Sequence, residues 1–211
     1  MRKGCDTVNS ISITLREFAY LAACCGAQTL WGVPNPFSDL AGGRLTDAMA
    51  QAAASLAKRK LILLGFDGEM QIPRNVLRLT GCCALPDRSL LFFPSDPAAQ
   101  RLLLFEKSGL WTECTWDGGD SVILRETDPI RAIEHATENP VWTPLTPGMV
   151  TLLNHIHRTR CVISVGTEKK EASVAASEEN GHCRSFARPN RLRKICTTWL
   201  CETAPSKEGT T

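Results

Sequence analysis

The sequence contains no apolar run of about 18 residues, the length that a membrane-spanning helix requires. It also has no excess of charge of one sign, because 24 Lys and Arg residues are balanced by 22 Asp and Glu residues, for a net charge of +2. General attraction to nucleic acid or to an anionic membrane needs a concentrated basic surface, which this composition does not supply. The N-terminus lacks a signal-peptide pattern, since Arg16 and Glu17 interrupt its first apolar stretch. We therefore expect a soluble, cytoplasmic protein without membrane insertion.

The common catalytic motifs are also missing: there is no nucleophile elbow, P-loop, dinucleotide fingerprint or H-E-x-x-H. Ten cysteines include the pairs Cys24-Cys25 and Cys82-Cys83, but no C-x-x-C and no Cys/His spacing typical of zinc. In a protein that is not exported, most of them are expected to be small buried residues. The sequence thus predicts no catalytic residue, metal site, cofactor or small-molecule substrate. A thiol-dependent enzyme stays open as a minor alternative.

The N-terminal region has the order of a winged-helix unit. Residues 14–17, Thr-Leu-Arg-Glu, form a capping box and predict a helix over 15–25. An alanine-rich stretch predicts a second helix from Thr46 to the basic residues at 58–60. An Asp-Gly pair between two apolar runs predicts a wing hairpin over 61–72, and a helix over 73–84 follows.

Residues 88–127 are predicted to form a four-strand antiparallel meander. Tight turns join the strand-like runs 88–94, 100–107, 110–116 and 120–127. Two of these runs contain consecutive apolar residues, which indicates a sheet covered on both faces by its own helices or by a partner. Asp128 and Pro129 have the character of a helix start and predict a helix over 128–138.

The C-terminal region is predicted to be a shorter repeat of the same scheme. The residues Leu45-Thr46-x-x-Met49 recur as Leu145-Thr146-x-x-Met149. The predicted elements are a helix over 146–157, strands over 160–166, 171–177 and 182–188, and a helix over 190–202. The predicted fold class is therefore α+β, with winged-helix-like N-terminal helices and an antiparallel meander. Its predicted parts are an N-terminal half over 10–138, a pseudo-duplicated C-terminal half over 146–203 and a disordered tail over 204–211.

Two groups of residues are candidate binding sites. Trp111, Glu113 and Thr115 alternate along one strand and share a mixed face, which can dock a partner protein. The alternative for Trp111 is an ordinary core position. Lys58, Arg59 and Lys60 are candidates for contacts with nucleic acid, the alternative function. An alanine-rich helix and an acidic wing are poorly suited to reading DNA, so protein binding is favoured.

The order of these elements resembles that of the EspG-type proteins of type VII (ESX) secretion, including their relatives in Firmicutes. The capped helix at 14–17, the alanine-rich helix leading into the 61–72 hairpin, the 88–127 meander and the helix from Asp128 carry this resemblance. It covers residues 10–138 and implies a cytoplasmic chaperone or adaptor without ATPase activity. Such a protein would bind the tip of a helical secretion substrate. The short, polar C-terminal half departs from the family pattern.

Overall fold

A large mixed sheet dominates the fold. The computed structural model describes residues 9–65, 69–94, 101–138, 148–165, 182–187, 194 and 196–200. This part of the chain is an α+β protein. The helices are α1 (Leu15–Cys24), α2 (Gly43–Lys58), α3 (Arg74–Ala84) and α4 (Pro129–Glu138). The strands are β1 (Ser10–Thr14), β2 (Leu63–Leu64), β3 (Met70–Gln71), β4 (Arg88–Pro94), β5 (Leu102–Lys107), β6 (Leu110–Trp116), β7 (Ser121–Glu126), β8 (Gly148–Asn154), β9 (Thr159–Val165) and β10 (His182–Ala187).

Eight of these strands form one sheet in the order β1-β7-β6-β5-β4-β8-β9-β10. The first seven strands in this order pair antiparallel with one another, and β10 runs parallel to β9. The predicted meander is confirmed, because β4, β5, β6 and β7 pair in sequence as antiparallel neighbours. At the turn from β5 to β6, Ser108 and Gly109 have φ values of 51° and 83°, as a type I′ hairpin requires.

Helix α1 begins with the predicted capping box. The Thr14 hydroxyl accepts a hydrogen bond from the Glu17 backbone N–H at 3.1 Å, and the Glu17 carboxylate accepts one from the Thr14 N–H at 2.8 Å. At the other end, Gly26 has a φ of 90° and the Ala27 N–H bonds the Ala22 carbonyl at 2.9 Å. Glycine is favoured at this left-handed position because it has no Cβ. The predicted helix over 15–25 is confirmed within one residue.

Helix α2 begins earlier than its predicted start near Thr46 and ends at the predicted basic residues. Its last turn closes like that of α1: the Leu61 N–H bonds the Leu56 carbonyl at 2.9 Å, and the Lys60 N–H bonds the Ala57 carbonyl at 3.0 Å. The left-handed residue is here Lys60, with a φ of 58°. A side chain with a Cβ costs energy in this conformation.

Replacing Lys60 with glycine is therefore expected to raise the free energy of unfolding by about 1 kcal/mol. Urea denaturation of the two proteins measures the difference. The matched control is Gly26→Ala, which places a Cβ at the corresponding position of α1 and is expected to lower stability by a similar amount. Equal stability of Lys60→Gly and the wild type would contradict the prediction.

The predicted hairpin over 61–72 contains the short antiparallel strands β2 and β3, in which Leu63 lies opposite Gln71, whereas its role as a wing stays a prediction. Its tip, residues 66–68, lies outside the described residues. The predicted helix over 73–84 is confirmed as α3. The predicted start of the helix at Asp128 is also confirmed, since its Oδ1 atom accepts from the Ile130 and Arg131 N–H groups at 2.9 and 3.0 Å.

The prediction of a helix over 146–157 is wrong, because residues Gly148–Asn154 form strand β8. This strand lies between β4 and β9, and its described side chains from Val150 to Asn154 are all buried. A short apolar run is compatible with either a helix or a central strand, and pairing on both sides selects the strand. The recurring Leu-Thr-x-x-Met motif thus leads into a helix once and into a strand the second time.

The other C-terminal predictions have mixed outcomes. The strands over 160–166 and 182–188 are confirmed as β9 and β10. Residue 194 and residues 196–200 are helical, which confirms that part of the predicted last helix. The predicted strand over 171–177 and the tail over 204–211 lie outside the described residues. The division into halves at 10–138 and 146–203 stays a prediction, and strands from both ranges belong to the same sheet.

Each face of the sheet has its own hydrophobic core. Helices α1, α2 and α3 pack on the front face, which carries Leu91, Leu103, Phe105, Cys114 and Leu124. Helix α4 and the C-terminal helix, defined here as residues 196–200, pack on the back face through Ala132, Ile133, Cys196 and Leu200. The back-face core is completed by the strand residues Leu90, Phe92, Leu102, Leu104, Trp111, Val150 and Leu152. The expectation that the apolar meander strands are covered on both faces is met by the chain's own helices.

Candidate protein-binding surface

The back face changes from polar to apolar across the sheet. One row of opposed residues runs from Ser10 through Arg125 and Glu113 to Leu104 and Leu90. Directly opposed residues on neighbouring strands point to the same face. The apolar end of this row, on β5 and β4, is buried in the back-face core, whereas Ser10 and Arg125 are exposed.

A neighbouring row shows the same change. It runs through Ser12, Ile123 and Thr115 on β1, β7 and β6. Ser12 is exposed, Thr115 is half-buried and Ile123 is 42% exposed. We call the part of the back face formed by Ser10, Ser12, Thr115, Ile123 and Arg125 the open sheet surface.

The three predicted partner-binding residues run along β6 from the back-face core into this surface. Trp111 is buried in the back-face core. Glu113 is almost buried and accepts a hydrogen bond from Arg125, whose side chain is much more exposed. Thr115 lies within the open sheet surface. The three residues therefore share one face of β6, and their exposure increases from Trp111 towards Thr115.

Arg88 explains why Trp111 is buried. Its Nε atom donates to the Glu106 carboxylate at 2.9 Å, and both side chains are buried. Its guanidinium carbon lies 5.2 Å from the centre of the Trp111 ring and 5.8 Å from that of Trp199 in the C-terminal helix. A guanidinium stacked on aromatic rings in a dry environment is held both by packing and by cation–π attraction. Trp111 thus serves a contact within the chain.

The basic cluster predicted for nucleic acid is divided by the fold. Lys58 and Lys60 are exposed at the end of α2, but the Arg59 Nη1 atom lies 2.6 Å from the buried Glu17 carboxylate. The Arg59 Nη2 atom also donates to the Ser12 carbonyl. The Glu17 carboxylate also accepts a hydrogen bond from the Ser55 hydroxyl at 2.7 Å. Arg59 is therefore engaged by α1 and β1, although its side chain is 41% exposed.

The β2–β3 hairpin exposes apolar side chains where a DNA-binding wing would present basic ones. Leu63 and Leu64 are 50% and 59% exposed, although neighbouring strand residues point to opposite sides. Both sides of the hairpin therefore present leucine to solvent. This composition suits contact with protein better than contact with phosphate.

The described thiols do not favour nucleophilic chemistry. Burial raises the pKa of Cys82 to about 11 and the pKa values of Cys114 and Cys196 to about 12. Burial also raises the pKa values of Cys24 and Cys25 at the end of α1. A thiolate is the nucleophilic form, so these shifts disfavour nucleophilic chemistry at these five cysteines.

His155 has a structural setting that the sequence did not reveal. Its Nε2 atom lies 2.9 Å from the hydroxyl of the fully buried Ser89, and its ring packs against Trp31 at 5.0 Å between centroids. Burial lowers the pKa of His155, and the Asp87 carboxylate partly opposes this effect. A hydroxyl with no exposure cannot meet a substrate, so this pair is best explained as packing between β4, β8 and the loop before α2.

Sequence reasoning missed Ile123 and Arg125, although a signal was available. On β7, Val122 and Leu124 lie on one face of the sheet, and Ile123 and Arg125 lie on the other. The prediction used this alternation on β6 but not on β7. Arg88 and Arg59 had no comparable signal. Their partners Glu106 and Glu17 are 18 and 42 residues away in the chain, and only the fold brings them together.

Comparisons and the described residues add few further constraints. The sequence matches no protein-family model and no curated protein. Within the described ranges, His, Cys, Asp and Glu side chains form no group of three or more that could hold a metal ion. None of the helices in the part of the chain that the structure describes is long and apolar enough to cross a membrane.

Proposed function

We propose that this protein is a non-enzymatic chaperone or adaptor that binds a helical segment of another protein at the open sheet surface. The proposal rests on the observation that helices cover only part of the back face of the sheet. Two helices cover its apolar part, whereas Ile123 remains exposed beside the small side chains of Ser10 and Ser12. A partner helix laid beside these helices would extend the existing helical layer over β7 and β1.

The chemistry of the open sheet surface suits such a partner. Serine side chains allow close approach of a helix backbone, and Ile123 provides an apolar contact at the centre. Arg125 and the Glu113 carboxylate bound to it form a polar border, as at the rim of protein interfaces. An amphipathic helix with an apolar stripe and a charged flank matches this arrangement.

We further propose that the partner is a helical type VII secretion substrate and that the protein acts in the cytoplasm. This part rests on the resemblance in element order to EspG-type proteins. The resemblance includes a winged-helix-like arrangement of the N-terminal helices and a shorter C-terminal half. The order α1, α2, hairpin, α3 and the antiparallel meander support it. Strand β8 does not support the resemblance, because the predicted repeat required a helix at this position.

The proposal predicts that Ile123→Asp lowers affinity for the partner by tenfold or more, because it places a charge at the centre of the interface. Purified wild-type and variant proteins would be used to capture partners from the native host, and the recovered protein would then be titrated against each. The matched control is Ile156→Asp, which changes an isoleucine that is 65% exposed in the turn after β8. Equal binding of all three proteins would refute the proposed surface.

Nucleic-acid binding stays the alternative proposal, supported by the exposure of Lys58 and Lys60 at the end of α2. Phosphate contacts by two lysines alone would be weak and strongly dependent on salt. A mobility shift that is reduced in the Lys58→Ala/Lys60→Ala protein would favour it. Absence of any shift at low salt would exclude it.

A further inference from the structure

The C-terminal helix docks on the back face in the manner of a bound peptide. Its side chains Cys196 and Leu200 are buried in the back-face core, and Trp199 packs beside them. These positions have the i, i+3, i+4 spacing of the apolar anchors by which an amphipathic helix binds a groove. Thr198, between the anchors, is exposed.

Arg88 contributes a polar contact to the same docking site. Its Nη1 atom donates to the Leu200 carbonyl at 3.4 Å. Arg88 also lies between the rings of Trp111 and Trp199. Its pairing with Glu106 and Trp111 does not involve the C-terminal helix, so the site remains formed when the helix leaves.

This docking site is continuous with the open sheet surface. Glu113, at the border of that surface, lies directly opposite Leu104 in the back-face core, and Trp111 follows on the same face of β6. A partner helix on the open sheet surface that extended beyond β6 would meet the C-terminal helix. The two helices would then compete for the same apolar strand residues.

We propose that the C-terminal helix is a displaceable internal ligand that occupies part of the partner site, an inference that rests on the proposed function. The external ligand is a helix with apolar residues at i and i+4 and an aromatic residue at i+3. Binding of that helix replaces residues 196–200 on the back face.

The test uses the full-length chain and a synthetic peptide with the sequence of residues 190–202, under reducing conditions. Leu200→Ala weakens the internal ligand, and the peptide, which retains Leu200, is expected to bind this protein at least about tenfold more tightly than the wild type. Trp199→Ala is a second, milder variant with the same expected direction. Thr198→Ala is the control and is expected to bind the peptide like the wild type.

Hydrogen exchange supplies an independent measurement. In Leu200→Ala, residues 196–200 are expected to lose protection while β4 and β8 keep it. Equal peptide binding by all four proteins, or loss of protection throughout the sheet, would overturn the proposal. Neither result depends on the host partner. If the peptide test fails but Ile123→Asp clearly weakens binding of the host partner, only the internal ligand is rejected. If the peptide test succeeds but Ile123→Asp has no effect, only the open sheet surface is rejected as the partner site.

Discussion

Replacing Arg88 with alanine is expected to lower the free energy of unfolding by about 4 kcal/mol. The substitution leaves the buried Glu106 carboxylate without the cation that lies 2.9 Å from it. It also removes the guanidinium from between Trp111 and Trp199 and the donor to the Leu200 carbonyl. Urea denaturation followed by circular dichroism would measure the loss.

A double variant separates the charge effect from the loss of packing. Arg88→Met/Glu106→Leu removes both charges and keeps apolar volume, so it is expected to recover most of the lost stability. The Arg88→Ala protein should remain the least stable of the set. A cost below about 1 kcal/mol for Arg88→Ala would contradict the description of a buried, mutually dependent pair.

Replacing Glu17 with alanine is expected to cost about 3 kcal/mol, because one carboxylate serves three partners in this fold. It completes the capping box with Thr14, accepts from the Ser55 hydroxyl and pairs with Arg59. The Glu17 side chain is only 1% exposed, so its removal also leaves a cavity between α1 and α2. Thermal and urea denaturation would both report the change.

The control for Glu17 is glutamine, which keeps the shape and the acceptor for the Thr14 N–H but loses the charge. Glu17→Gln is expected to cost about half as much as Glu17→Ala. In the Arg59→Ala background the difference between glutamate and glutamine should shrink, since the cation that distinguishes them is gone. Additive effects of Glu17→Gln and Arg59→Ala would show that the two residues do not interact.

Local sequence signals accounted for most of the elements. The capping box at Thr14, the N-cap at Asp128 and the tight turn at Ser108 and Gly109 all act over a few residues, so the sequence alone reveals them. Strand β8 was missed because its conformation depends on pairing with β4, more than fifty residues earlier in the chain. A short run such as Met149–Leu153 carries no local preference strong enough to exclude a helix.

The candidate site was predictable only in part, for the same reason. Alternation on β6 grouped Trp111, Glu113 and Thr115 correctly on one face. How much of that face is covered depends on where α4 and the C-terminal helix pack, which local patterns do not specify. Arg59 gives the clearest example, since a basic run typical of an exposed helix end contains one residue that is bound to a buried carboxylate.

The contacts of Arg59 and Glu17 with β1 also affect how the protein behaves beside other copies of itself. Strand β1 is at the edge of the sheet, where unpaired backbone groups can recruit a foreign strand. Two of its outward groups already have side-chain partners, because Arg59 donates to the Ser12 carbonyl and Glu17 accepts from the Thr14 N–H. Variants that lose either residue would uncover a template for strand addition. They should therefore aggregate more readily on heating, beyond what their lower stability alone would cause.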